Sequence, residues 1–217
     1  MELKWPVIQI ALDYATFEEA QRMALVAVEA GVDLLEIGTP LIVSQGLTPI
    51  GQMVRAFPKY PVLADYKTMD SGGKNVYRTA DQGGHVMTVC AGAPDETVKS
   101  AVEARKKTGV WVVVDTIGVA DQPVRARQCA EWGVDMIYLH YGADQRHSDS
   151  SQDSTQWLAQ VQQAVNIPIG VGCFDVEDGV RAAQGGAELI CIGHPLIDPD
   201  DPALLRQFVA EVKAGYK

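Results

Sequence analysis

The chain has 217 residues, enough for one substantial core and few for two, and it holds no apolar run near the ~20 residues a membrane-spanning helix needs. Its 18 Lys and Arg against 28 Asp and Glu give a formal charge of −10, which repels polyanions and argues against a nucleic-acid backbone as partner. A small phosphorylated ligand is compatible with that charge, because backbone N–H groups at a helix N-terminus bind phosphate without a basic surface.

Met1-Glu2-Leu3-Lys4-Trp5-Pro6 runs directly into a strand-like segment and carries neither the apolar stretch nor the small-residue cleavage site of a secretory signal, so a cytoplasmic location is expected. Short apolar runs then alternate with longer stretches of helical spacing, the signature of parallel βαβ units. The strands are expected at Val7–Leu12, Leu34–Ile37, Val62–Asp65, His85–Val89, Val110–Asp115, Met136–Leu139, Pro168–Val171 and Leu189–Ile192. The helices between them are expected at Phe17–Ala30, Pro49–Phe57, Lys74–Gln82, Pro94–Thr108, Val124–Trp132, Gln156–Val165, Val176–Gln184 and Pro202–Ala214. Eight pairs imply an α/β fold, a (β/α)8 TIM barrel that takes up residues 1–217 as a single domain.

Glycines just before strands, in Ala30-Gly31-Val32-Asp33, Trp132-Gly133-Val134-Asp135 and Gly185-Gly186-Ala187-Glu188, suit left-handed helix C-caps. The polar stretch Gly142–Thr155 reads as a mobile βα loop over an active site. Cys90, Cys129, Cys173 and Cys191 are widely spaced with no CxxC pair, so they read as reduced thiols, mostly in the core.

Catalytic groups of such a barrel sit at the C-terminal ends of its strands, so carboxylates that close apolar runs are the informative ones. Asp13, Glu36, Asp65, Lys67, Asp115 and His140 all occupy such places. The densest group is Asp65-Tyr66-Lys67-Thr68-Met69-Asp70, where strand alternation puts Asp65 and Lys67 on one face and Asp70 opens the next segment. Burying these charges is costly unless they pair with each other, a metal or a substrate; the alternative is an ion network with Asp70 as a helix cap. Glu36 and Asp65 supply the oxygen ligands that a hard cation such as Mg²⁺ prefers, or else Glu36 pairs with Lys67. Asp13 binds a substrate hydroxyl, orients Lys67, or serves the N-terminus of the first helix.

His140 stands where a general acid or base would, and Asp115 is either a second functional group or a carboxylate bonded within its own loop. His85, at a strand start, and His147, in the polar loop, are expected not to be catalytic. Gly170-Val171-Gly172 and Ile192-Gly193-His194-Pro195 lie after the last two strands, where barrels often hold phosphate on backbone amides.

Gln9-Ile10-Ala11-Leu12-Asp13, Glu36-Ile37-Gly38-Thr39-Pro40-Leu41 and Ala64-Asp65-Tyr66-Lys67-Thr68-Met69-Asp70, in this order, resemble the orotidine-monophosphate-decarboxylase suprafamily. The last matches its DxKxxD signature, and the resemblance spans nearly the whole chain. Within it the branch is that of 3-hexulose-6-phosphate synthases and 3-keto-L-gulonate-6-phosphate decarboxylases. It implies a Mg²⁺ site at Glu36 and Asp65, substrate contacts from Asp13 and Lys67, and proton handling and substrate contact by His140 and Asp115. It also implies a homodimer with active sites at the interface, Asp70 reaching into the partner's site. The chemistry implied is a 1,2-enediolate on a keto-sugar phosphate, which adds to formaldehyde in the synthases or is protonated after loss of CO₂ in the decarboxylases. The decarboxylases carry Arg where Ala143 stands here, which favours the synthase reading. Two departures bear on the phosphate loops, where Gly172, Cys173, Gly193 and His194 are expected to bind substrate: Cys173-Phe174 replaces a paired glycine, and Gly193-His194 stands where Gly-Gly or Gly-Arg is usual. A Phe side chain at a backbone phosphate cradle is expected to crowd the anion.

Overall fold

The computed structural model describes residues 3–193 and 196–216. Eight parallel strands pair in sequence order and the last closes on the first: β1 (Val7–Leu12), β2 (Leu34–Ile37), β3 (Val62–Thr68), β4 (Val86–Cys90), β5 (Trp111–Asp115), β6 (Met136–Leu139), β7 (Ile169–Cys173) and β8 (Leu189–Ile192). The chain folds as a (β/α)8 barrel.

The helices are α1 (Phe17–Ala30), α2 (Thr39–Gln45), α3 (Thr48–Ala56), α4 (Gly72–Asp81), α5 (Asp95–Thr108), α6 (Gln122–Trp132), α7 (Ala143–Ser148), α8 (Leu158–Ala164), α9 (Val176–Gln184) and α10 (Ala203–Gly215). Two of these were not expected: α2 lies where no element is predicted, and α7 lies in the predicted loop. Pro40 sits in the first turn of α2 and Gly46 ends it. The polar stretch after β6 is not an open loop: it holds α7 and a 3₁₀ turn at Ser154–Trp157, tied down by Arg146 to Gln152 O at 2.8 Å and by Arg181 to Asp153 at 2.7 Å.

Strand alternation builds two apolar layers. One faces outward onto the helices, with Ile8, Ile10, Leu35, Ile37, Val112, Val114 and Ile190 among its residues. The other fills the barrel interior with Val7, Leu34, Leu63, Val86, Val113, Met136 and Leu189. Two residues further along most of these strands, the same inward face carries Gln9, Glu36, Asp65, Thr88, Asp115, Tyr138 and Cys191. The interior thus changes from hydrocarbon to polar groups within one pleat repeat.

The opposite end of the barrel has a repeated device of its own. Asp33 Oδ2 accepts from Ile8 N at 3.0 Å, Asp135 Oδ2 from Val112 N at 2.8 Å and Glu188 Oε2 from Ile169 N at 2.9 Å, each acid satisfying the start of the preceding strand. His85 Nδ1 does the same for Val62 N at 3.1 Å, which gives that histidine a structural task far from the chemistry. Gly31 and Gly133 are left-handed C-caps and Gly186 is left-handed one residue past the cap Gly185, and φ of +94°, +95° and +84° disfavour any residue with a Cβ.

Candidate active site

A cavity of about 240 Å³ opens at the C-terminal ends of the strands. Asp13, Glu36, Asp65, Lys67, Asp115, His140, Gly172, Cys173 and Gly193 all line it, so nine of the residues singled out in the sequence converge. Asp70 does not line it; it is exposed beyond the end of β3, and Ser71, not Asp70, is the residue preceding α4. His194 lies outside the described residues.

At the centre stands an ion pair between Lys67 Nζ and Asp65 Oδ2. Asp65 is 3% exposed and accepts further hydrogen bonds, from Thr88 Oγ1 at 2.6 Å and Thr39 Oγ1 at 2.8 Å. Burial alone would raise its pKa, but the Lys67 charge and these donors reverse the sign and hold it below the usual carboxylate range. Lys67 shows the same balance: burial disfavours the ammonium, while Asp65, Glu36 and Asp115 outweigh it and raise its pKa. It is a fixed positive charge.

The backbone is shaped for this lysine. Lys67 has φ of +45°, a conformation that costs a residue with a Cβ about 1–2 kcal/mol. Its N–H donates to Thr88 Oγ1 at 3.0 Å, and a bulge accompanies it: between the pairs Ala64–Met87 and Thr68–Val89, β3 advances four residues against two on β4. The strand therefore continues past Asp65, where the sequence predicts its end, and turns Lys67 back over the Asp65 carboxylate.

Glu36, 6% exposed, accepts from Gln9 Nε2. Burial first, then Asp65 and Asp13, push its pKa well above the ordinary value of 4.5. Gln9 Oε1 is the buried side-chain atom without a hydrogen-bond partner among the described residues. Asp13 is open to the cavity, yet the protein around its carboxyl and the nearby Asp65 raise its pKa, with Lys67 and His140 opposing. Gly38 leaves the room that this carboxylate occupies: a Cβ there would overlap Asp13 Oδ1.

Across the cavity, His140 Nδ1 lies 2.8 Å from Asp115 Oδ2. Asp115, 1% exposed, also accepts from Ile117 N at 2.8 Å, so it is bonded within its own loop and, at the same time, to the His140 ring. Tyr138 packs edge-on to that ring at 5.5 Å. The β7 glycines owe their presence to this tyrosine, because a Cβ on Gly170 would lie 2.8 Å from Tyr138 Cδ2 and one on Gly172 2.8 Å from its hydroxyl. Phe174 lines the cavity, its N–H donating to Asp178 Oδ2 at 3.1 Å and its ring lying 5.5 Å from the Arg146 guanidinium. All four cysteines are buried and free, and burial pushes the Cys173 and Cys191 thiols far up, which leaves them protonated and poor nucleophiles.

Thr39, Thr88, Gln9, Tyr138 and Cys191 are absent from the sequence-based assignment. Their signal was the one that exposed Glu36: Thr88 in Val86-Met87-Thr88-Val89 and Gln9 in Val7-Ile8-Gln9-Ile10 are polar residues inside apolar strands, in inward register.

Comparison with known proteins places the chain in a family. The family model described as "Orotidine 5'-phosphate decarboxylase / HUMPS family" matches residues 6–203. A 3-hexulose-6-phosphate synthase of Bacillus subtilis (strain 168) is 39% identical over 198 residues, 90% of this chain and 93% of that one. One from Mycobacterium gastri is 33% identical, covering 90% and 94% of the two chains. The crystal structure of 3-hexulose-6-phosphate synthase from Salmonella typhimurium superposes with a TM-score of 0.89 at 28% identity, over 97% of this chain and 100% of that one. The chain belongs to the orotidine 5'-phosphate decarboxylase/HUMPS family.

Proposed function

We propose that the protein is a lyase of the 3-hexulose-6-phosphate synthase kind, an aldolase that joins formaldehyde to ribulose 5-phosphate through an enediolate. The observation that carries this reading is the meeting of Lys67, Asp65 and Glu36 with the His140–Asp115 pair in one cavity. Loss of a C1 proton from the keto sugar gives a 1,2-enediolate. Lys67, held cationic by three carboxylates, lies where it stabilises the developing oxyanion. C1 then forms the new bond to the formaldehyde carbon, the π pair of its C=O becomes an alkoxide, and that oxygen takes a proton. His140, its ring fixed by Asp115, is the group to move protons at these atoms. Asp13 reaches a substrate hydroxyl, and Gly172, Cys173 and Gly193 present backbone toward the phosphate end.

Glu36 and Asp65 fit a resident Mg²⁺. Both are buried carboxylates on one cavity; burial first and then the Asp65 charge raise the pKa of Glu36, and a divalent charge relieves the repulsion between the two. Mg²⁺ usually keeps several waters and takes only one or two carboxylates, so two such side chains are enough for it. When bound, the ion supplies Lewis acidity to the substrate oxygens.

Asp70 is exposed and does not line its own chain's cavity, in keeping with a homodimer in which it serves the partner's site. Free, buried cysteines accord with a cytoplasmic enzyme. Among the described residues no helix is long and apolar enough to cross a membrane.

Ala143 lines the cavity where the decarboxylases of the branch are expected to carry Arg, so this chain lacks a cation at that wall. The test is a pair of assays with purified protein and Mg²⁺. Formaldehyde-dependent loss of ribulose 5-phosphate is expected, without CO₂ release from 3-keto-L-gulonate 6-phosphate. The reverse result would make it a decarboxylase, and activity with neither would remove both readings.

A further inference from the structure

A second cavity, about 250 Å³, adjoins the first, and the two share His140 and Tyr141 as common lining. It lies between the loop after β5 and the segment after β6, away from the metal-binding carboxylates. The two cavities differ sharply in charge. The first is lined by Asp13, Glu36, Asp65, Lys67, Asp115 and His140. The second has His140 and Tyr141 as its only titratable lining residues among those described, and is otherwise faced by Gln122, Gln145, Gln152, Ser154, Gln156 and Trp157 with the Gly118–Ala120 turn.

Such walls offer hydrogen bonds and no fixed charge to hold an anion, so they suit a small neutral polar molecule and give a sugar phosphate no counter-ion. The proposed reaction has a reactant of that description. A phosphorylated keto sugar bound between Lys67 and the β7 and β8 glycines would occupy the first cavity, and a side cavity that shares His140 and Tyr141 would give the second reactant its own way in.

We propose that the second cavity is the binding and entry site for the small uncharged aldehyde, or its gem-diol hydrate, which regenerates the aldehyde by losing one water. The aldehyde passes the His140–Tyr141 wall and meets C1 of the enediolate beside the imidazole that protonates the new alkoxide. This inference rests on the synthase reading and adds an order to it: the sugar phosphate binds first from the barrel mouth, and the aldehyde follows from the side.

Ala120 and Gln156 are exposed residues on the rim of the second cavity and stand outside the carboxylate–lysine site, so Ala120→Trp and Gln156→Trp narrow it from two sides without touching that site. Steady-state kinetics with both substrates varied is the experiment, with thermal unfolding as the check that each variant is folded. The expected result is an apparent KM for formaldehyde raised about tenfold or more, with the KM for ribulose 5-phosphate and kcat at saturating formaldehyde unchanged. Wild-type formaldehyde KM in both folded variants, or an equal rise in both KM values, would overturn the proposal while leaving the synthase reading intact. If wild-type protein consumes no ribulose 5-phosphate with formaldehyde, that reading fails and this inference falls with it.

Discussion

Thr88 shows how much of this site depends on residues that hold the charged groups in place. Its hydroxyl donates to Asp65 and accepts from the strained Lys67 backbone, so one 4%-exposed side chain holds both halves of the central ion pair. Thr88→Val keeps the shape and removes both bonds. Stripping a hydrogen bond from a buried charged group leaves it unsatisfied, so chemical denaturation should show a loss of about 1–3 kcal/mol. Glu36 leads to a prediction in pH. Its pKa is raised in the folded protein, so its contribution to stability is full below the ordinary value of 4.5 and is lost as pH rises through the folded value. Metal-free protein should therefore show a falling Tm over that rise, and Mg²⁺ should lessen the fall. Melting curves across pH with EDTA and with Mg²⁺ check this, and identical curves in the two conditions would argue against the metal site.

At the scale of elements, the strands were legible because each is a short apolar run between turn residues, and their inward register follows from alternation. Asp13, Glu36, Asp65, Lys67, Asp115 and His140 could be read from that alone. The bulge in β3 could not, since it depends on Thr88 from the neighbouring strand accepting the Lys67 N–H. Helices α2 and α7 were also hidden, being short helices of seven and six residues, one flanked by glycines with a proline in its first turn and the other almost wholly polar. Gly172 was read for phosphate binding on its backbone; separately, Tyr138 fills the space a side chain there would need. Gly172→Ala should force that ring against its surroundings, at a cost of about 1–3 kcal/mol of overpacking measured by thermal or denaturant unfolding. An alanine variant with unchanged stability would mean that the tyrosine has room to move.

The whole molecule separates stability from chemistry along the barrel axis: acids and His85 close the strand starts at one end, and the titratable cluster occupies the other. Asp70 is the residue this separation leaves over, and its place in the account depends on a second copy of the chain. If it works across a dimer interface, Lys67→Ala and Asp70→Ala are each nearly inactive alone. Mixed after reversible unfolding, they should recover about a quarter of wild-type activity, because half of the dimers then carry one complete site. Recovery of nothing would rule out a role for Asp70 across the interface.

All of this turns on whether Lys67 and its carboxylates stabilise an enediolate. Proton NMR of ribulose 5-phosphate in D₂O, with protein and Mg²⁺ but no formaldehyde, reads that step directly. Enzyme-dependent exchange of a C1 hydrogen for deuterium is expected with wild-type protein and should be lost in Lys67→Ala. Absence of exchange with the wild type, or equal exchange with the variant, would contradict the account.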